Sequence, residues 1–313
     1  MKTKFFIAFL MVLMVSSCEK YESYIDDFDY TTVYFAYQNP VRTVFSNNLQ
    51  FDIGVAMGGV RENTSNKTAD FVIAPELLAD ASVVGSNNFT LLPADYYTLS
   101  NNEQFVIIKS DFVGKIKVTL NREKFLADPL TTGKTYALPI RITDTSLDSI
   151  LTGNAGKGIA RKDYTIVVVK YISQHHGIYY HRGQRSKYDA SNILINTQRY
   201  VTEKQEDEYV QNVVWNFKTL KADSIQSSGV GEFYSSSSKN YALNLKILTD
   251  NKVQIIGNPS SLIPNVQDLG NSVYDVAKKS FYLNYQYTDV DNMKYIMKDT
   301  LTFRNDGLTL ELW

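Results

Sequence analysis

Three histidines, His175, His176 and His181, fall within seven residues of one another. Imidazole suits zinc or copper. Adjacent histidines in an extended chain point apart, the chain has a single cysteine, and the spacing fits no zinc signature. Polar residues at a domain junction are therefore the expectation, with no metal and no cofactor. A second chemistry is sugar recognition, which needs flat aromatic faces against C–H groups and amides, carboxylates or guanidinium groups for the hydroxyls. The tryptophans are Trp215 and Trp313. Trp215 alternates with Val213 and Phe217, so a period of two puts it on their apolar face, in the core. Trp313 follows Leu308, Leu310 and Leu312 on the opposite parity. Tyr282, Asn284 and Gln286 likewise oppose Phe281, Leu283, Tyr285 and Tyr287. That polar parity is either a wet barrel interior able to hold sugar or a solvent face. Tyr282, Asn284, Gln286, Trp215 and Trp313 are thus the glycan-binding candidates. Gly156-Lys157 imitates a phosphate loop, but the preceding glycine is misplaced and no Ser or Thr follows the lysine; a plain loop is expected.

The remaining chemistry is that of Cys18. Lys2 and Lys4 precede an apolar run from Phe5 to Val15, the length of a secretory signal core and too short to span a bilayer. Val15-Ser16-Ser17-Cys18 resembles the lipobox of bacterial lipoproteins. The resemblance implies removal of residues 1–17, acylation of Cys18, and an outer-membrane lipid as its partner. Acidic residues over 18–30 read as a flexible tether, and they resemble the signal that sends lipoproteins to the cell surface.

These groups need a scaffold, and the composition points to strands. Tyrosine and phenylalanine number 22 and 16 in 313 residues, aromatic enrichment of the kind strands favour. The net charge of −1 falls further once the two lysines of the leader are removed, which leaves no basic surface for nucleic acid. The length suits two domains, 31–172 and 177–313.

In the first domain, short strands are expected over Val33–Tyr37, Thr43–Phe45, Gln50–Val55, Ala69–Ile73, Tyr96–Leu99, Gln104–Lys109, Gly114–Leu120, Tyr136–Thr143 and Tyr164–Val169, a β-sandwich pattern. A helical turn capped by Asn121 is expected at Asn121–Leu126. Gly58-Gly59 with Arg61–Lys67 reads as a hairpin tip. In the second domain, strands are expected over Gln198–Glu203, Glu208–Phe217, Gly231–Tyr234, Tyr241–Leu248, Lys252–Ile256, Phe281–Thr288, Lys294–Arg304 and Leu308–Trp313. They follow an opening Gly177-Ile178-Tyr179-Tyr180-His181 segment. Asp289-Val290-Asp291-Asn292 is a hairpin turn. An antiparallel meander closing into a calycin-like barrel is the expected architecture. The fold class is all-β throughout.

Thr32-Val33-Tyr34-Phe35, Phe51-Asp52-Ile53, Leu92-Pro93-Ala94-Asp95-Tyr96-Tyr97 and Tyr136-Ala137-Leu138-Pro139-Ile140-Arg141-Ile142 resemble an immunoglobulin-like N-terminal module. It occurs in Bacteroidetes surface lipoproteins, some carrying family 18 endo-β-N-acetylglucosaminidase domains. Gly177-Ile178-Tyr179-Tyr180, Phe281–Tyr287, Asp299-Thr300-Leu301 and Arg304-Asn305 are similar to its common C-terminal companion. The resemblance implies glycan capture at the cell surface beside an outer-membrane importer. It carries no catalytic residue: the Asp-x-x-Asp-x-Asp-x-Glu run of family 18 is imitated only by Asp289 and Asp291.

Asp148-Ser149-Ile150 and Asp223-Ser224-Ile225 resemble Bacteroidetes O-glycosylation sites, with Ser149 and Ser224 as acceptors in expected loops. The leading functional expectation is non-catalytic binding of oligosaccharide or polysaccharide. The alternatives are an accessory component of an importer or adhesin complex without sugar affinity, and a glycosidase with an unrecognised carboxylate pair.

Overall fold

The computed structural model describes residues 28, 30–200 and 213–313. Cys18, the leader, most of the expected tether and parts of the strands expected at Gln198–Glu203 and Glu208–Phe217 lie outside the described residues. No helix among the described residues is long and apolar enough to cross a membrane.

The first eleven strands are β1 (Thr32–Tyr34), β2 (Val41–Phe45), β3 (Gln50–Gly58), β4 (Lys67–Ile73), β5 (Thr90–Leu91), β6 (Tyr97–Leu99), β7 (Gln104–Ile107), β8 (Val113–Leu120), β9 (Tyr136–Thr145), β10 (Ser149–Ile150) and β11 (Tyr164–Ile172). They form two sheets, ordered β10-β1-β3-β8-β6 and β2-β11-β9-β4-β7, with β5 added alongside β9. The sheets bury Val33, Phe35, Ile53, Val55, Ile116 and Val118 against Phe71, Phe105, Leu138, Ile140, Val167 and Val169. Strand β8 alternates buried and exposed residues, whereas Thr165–Val169 in β11 is continuously buried. The reason is a second layer. Ala74, Leu77 and Val84, from the 3₁₀ turn Pro75–Leu78 and the helix α1 (Ala81–Val84), cover Ile166 and Val168 on the outer face. The helix α2 (Arg122–Ala127) begins as expected, with the Asn121 side chain accepting from the Lys124 N–H at 3.2 Å.

One expectation fails here. Gly58-Gly59 and Arg61–Lys67 are not a hairpin tip, because β3 and β4 belong to opposite sheets. The segment crosses the sandwich, and Asn63 anchors it by donating to the carbonyls of Ile108 and Asp111, 2.9 Å each.

The second half contains β12 (Gly177–Tyr188), β13 (Leu194–Tyr200), β14 (Val214–Lys221), β15 (Ser224–Ser227), β16 (Gly229–Val230), β17 (Phe233–Tyr234), β18 (Leu243–Ile247), β19 (Val253–Gly257), β20 (Gln267–Asp268), β21 (Val273–Asp275), β22 (Ser280–Thr288) and β23 (Lys294–Asn305). The large sheet runs β19-β18-β15-β14-β12-β23-β22-β20, a meander whose last strand returns to its first. It nearly closes where Val253 N–H donates to the Ser272 carbonyl at 2.8 Å and Lys252 bridges Val273. Closure removes the open edges of a flat sheet.

One end of this barrel abuts the first domain. Ser173 N–H donates to Thr219 Oγ1 at 2.9 Å, and Ser173 Oγ donates to the Ala222 carbonyl at 3.0 Å. The expected strand at Leu308–Trp313 does not form. That tail crosses to the first domain, where Leu312 bridges Pro40 and Glu311 binds Lys134 and Lys170, each at 2.6 Å. Leaving the barrel costs it no strand, since β23 already pairs with both β12 and β22.

Candidate functional site

Period two along β12, β22 and β23 decides what lines the barrel. Tyr179, His181, Phe281, Leu283, Tyr285, Met297, Asp299 and Leu301 are buried, and the next inward positions toward the far end are Arg185, Tyr287 and Tyr295. The interior is thus layered: apolar near the first domain, polar in the middle, aromatic at the mouth.

The middle layer is a sealed polar network. Asp299 Oδ2 accepts from the Tyr285 hydroxyl at 2.6 Å, and that hydroxyl accepts from the Gly231 N–H at 2.7 Å. Asp299 Oδ1 accepts from the Tyr200 hydroxyl and lies 3.0 Å from His181 Nε2. His181 Nδ1 lies 3.0 Å from the Tyr234 hydroxyl, and its ring stacks on Trp215 at 4.2 Å. Burial, reinforced by the Asp299 carboxyl, pushes the phenols of Tyr200 and Tyr285 up, so both remain O–H donors. Close approach also fixes two glycines. A Cβ at Gly183 would collide with Asp299 and Tyr200; one at Gly231, where φ is +54°, would collide with Met297.

Above this layer opens a cleft of about 470 Å³, lined by Arg185, Phe233, Tyr241, Leu262–Asn265, Tyr287–Val290 and Tyr295. The volume falls within the range of small-molecule sites. Two ring pairs wall it. Phe233 and Tyr241 stack with centroids 5.3 Å apart and planes 22° apart; Tyr287 and Tyr295 stack at 5.0 Å and 18°. Arg185 pairs with Glu232, donates from Nη2 to Gln198 Oε1 at 2.7 Å, and sits 5.7 Å from the Tyr295 ring centre. Asp289 holds the β22–β23 turn: its Oδ1 accepts from Asp291 and Met293 N–H at 2.9 Å each, and its Oδ2 accepts from the Tyr295 hydroxyl at 2.9 Å. Asn292 takes φ +57° in that turn, as its residue type permits.

The candidates from the sequence lie elsewhere. Trp215 is fully buried, as period two requires, and offers no face to a sugar. Trp313 packs on Phe89 at 4.8 Å and donates from Nε1 to the Ile166 carbonyl at 2.7 Å, so its indole is part of the first domain's outer layer. Tyr282, Asn284 and Gln286 face outward. Asn284 and Gln286 are tied to the 267–272 segment, Gln286 Nε2 to Gln267 Oε1 at 2.8 Å and Asn284 N–H to Ser272 Oγ at 2.8 Å. The mouth uses the opposite parity, through Tyr287. Ser149 and Ser224 open the short strands β10 and β15 instead of lying in loops. Ser149 Oγ lies 2.7 Å from Thr32 Oγ1, and Ser224 Oγ donates to Asp223 Oδ1 at 2.8 Å.

The histidines part company. His175 packs edge-on against Tyr274 at 4.5 Å, His176 lies beside Thr219, and His181 belongs to the barrel interior, away from the expected junction. Among the described residues, no group of three or more His, Cys, Asp or Glu is placed to hold a metal ion. Phe233, Tyr241, Tyr287 and Tyr295 were signalled in the sequence only as strand aromatics; nothing local marks them as neighbours.

Residues 28–149 match a family model described as "-like, N-terminal domain". The match falls within the stretch whose sequence resembles the immunoglobulin-like N-terminal module. A Bacteroides ovatus protein of unknown function is 24% identical and matches 91% of this chain and 99% of its own, with a TM-score of 0.68, so the fold is shared across both domains. A second B. ovatus protein of unknown function is 14% identical over 91% of this chain and 100% of its own, with a TM-score of 0.41. Bacteroides thetaiotamicron EndoBT-3987, solved with its Man5GlcNAc product, is 19% identical over 42% of this chain and 28% of its own, with a TM-score of 0.31. No curated protein matches the sequence.

Proposed function

We propose that this chain is a non-catalytic carbohydrate-binding protein, held at the outer-membrane surface by acylated Cys18, that captures glycan for a neighbouring importer. One observation carries the reading. The barrel end away from the first domain presents a cleft of about 470 Å³ walled by two stacked aromatic pairs, with Arg185, Asp289 and Asn265 among its lining. Flat rings suit the C–H faces of pyranoses, while the polar groups suit hydroxyls. Among the described residues, the carboxylates beside the cleft, Glu232 and Asp289, are engaged by Arg185 and by the turn and Tyr295, which favours binding over hydrolysis. An anchor at Cys18 would leave the first domain as spacer and the mouth outermost.

Isothermal titration against a panel of plant and host glycans tests the binding. The expected result is saturable binding that is weakened by Tyr241→Ala; absence of binding across the panel would overturn the reading. Labelled palmitate should enter the wild type and not Cys18→Ala. A second reading, an accessory role through protein contact, is favoured by the exposed Ile193, Leu194, Ile195 and Val290 at the tips of the β12–β13 and β22–β23 hairpins. Copurification of a membrane partner without sugar affinity would decide for it.

A further inference from the structure

Charge is spread unevenly around the barrel. Four adjacent strands, β13, β12, β23 and β22, carry a single carboxylate, Asp299, and that one is buried in the interior. The positions that period two turns outward on them include Arg182, Arg199, Lys294, Lys298 and Arg304. A chain whose acidic and basic residues nearly balance, 33 against 32, has therefore gathered cations on one outer wall.

Register fixes how they sit. Gln184 pairs with Arg199 on one side and with Lys298 on the other. With strands about 4.8 Å apart, the two cations flank the amide at about 10 Å from each other. Both are exposed, and neither side chain pairs with a described residue. Two more cations of the wall rest on neutral groups: Lys294 donates to Asn192 Oδ1 and lies 5.0 Å from the Tyr188 ring centre, and Arg304 lies 5.5 Å from that of Tyr180. Arg182 is already engaged, so the row of Arg199, Gln184 and Lys298 is the centre. The next row holds Thr197, Ser186, Ile296 and Gln286, and the row before it Thr300 and Tyr282. Hydroxyls and amides thus surround the cations, with Ile296 the one aliphatic side chain. The exposed Ile193, Leu194 and Ile195 lie at the hairpin tip, beyond these rows. The acidic residues of 201–212, which join β13 to β14, lie outside the described residues.

We propose that this wall is a second binding surface, separate from the cleft, and that its partner is an acidic polysaccharide. Carboxylates or sulfates of the polymer pair with Arg199 and Lys298, while its hydroxyls bond Gln184 and the rows beside it. Cations repeated along a strand suit a polymer whose charges repeat along its length. A membrane surface would need an apolar face to insert, which these rows lack.

The test uses the full chain and the double variant Arg199→Gln/Lys298→Gln. Lys239→Gln/Lys246→Gln removes the same charge outside the wall and serves as control. The probes are polygalacturonate, chondroitin sulfate, methyl-esterified polygalacturonate as the neutral counterpart, and vesicles of an anionic phospholipid. The expected result is that one or both acidic polymers bind and the ester does not. Binding should weaken about tenfold or more between about 0.02 M and about 0.2 M salt. The double variant should lose about tenfold in affinity, as two exposed charge contacts would give, and the control less than about twofold. Both variants should keep the wild-type urea midpoint, as exposed, unpaired side chains allow. Equal losses in the two variants would show that net charge acts without this wall, and would overturn the proposal. Equal binding of the ester would overturn the charged class. Vesicles bound with the same loss in the double variant would make the partner a lipid surface instead. Loss of the acidic polymers in Tyr241→Ala would place them in the cleft and overturn the second surface. Binding that appears only after Glu206→Gln/Asp207→Asn would show that the chain's own acids occupy the wall, which also overturns it. If neither acidic polymer binds, the proposal falls while the cleft reading stands on its own titration.

Discussion

Replacing Asp299 by Asn changes one atom at the centre of the barrel and should destabilise it severely. The carboxyl accepts from Tyr200 and Tyr285 and faces His181 Nε2, all in a layer that water does not reach. An amide of the same shape keeps one acceptor oxygen and presents two N–H donors in place of the other. If the NH₂ faces Tyr285, it meets a hydroxyl already accepting from the Gly231 N–H, and the phenolic proton loses its acceptor. If it faces Tyr200 and His181, the Tyr200 proton is the one stranded. Either way at least one buried donor goes unsatisfied, at about 1–3 kcal/mol, and the surviving bonds lose the strength of a charged acceptor. The expected loss is about 2–4 kcal/mol. Urea unfolding followed by Trp215 fluorescence, with Trp313 replaced by Phe, reports on this layer because the indole stacks on His181. Asp291→Asn, at an exposed turn position, should move the midpoint little, within about 0.5 kcal/mol. An equally small effect at Asp299 would refute the reasoning that the network supports the cleft above it.

Acid should weaken the protein partly through His175. Burial lowers its pKa from 6.5 to about 4, so the unfolded chain takes up the proton first. The stability from burying neutral imidazole is complete above about pH 6.5 and is lost as pH falls toward 4, about 3 kcal/mol in all. His175→Phe, which keeps an aromatic ring against Tyr274 and Phe281, should unfold with a smaller difference in urea midpoint between pH 7 and pH 4.5 than the wild type; an unchanged difference would contradict the assignment. At the other contact between the domains, Trp313→Ala should cost about 2–3 kcal/mol through lost packing on Phe89 and the lost bond to the Ile166 carbonyl. Limited proteolysis should then cut the 306–312 tail faster, and no change in cutting rate would argue that the tail is held by Glu311 alone.

The strand list was largely legible in the sequence because the side-chain period of two is a local property. It placed β8, β22 and β23 within a residue or so and put Trp215 in the core. Turn chemistry was equally local, as Asp289–Asn292 and the Asn121 cap show. Period two divides a strand into two faces without saying which one turns inward. In β22 the polar face of Tyr282, Asn284 and Gln286 went outside, and the aromatic face ending at Tyr287 became the wall of the cleft.

Nor does local pattern say which distant segments meet. His181 and Asp299 stand 118 positions apart, and they touch because the meander closes β23 onto β12. Gly58–Lys67 looked like a hairpin because glycine and polar residues fit either a turn or a crossing, and only the choice of sheet for β4 separates the two. The final residues alternate like a strand, yet β23 before them already had a partner on each side, and Trp313 found its partners on the first domain. The sequence by itself determined an all-β chain, its strands and its turns, since those follow from propensity and alternation. Barrel closure decided the rest, because only closure settles which faces turn inward and which far-apart residues share a wall.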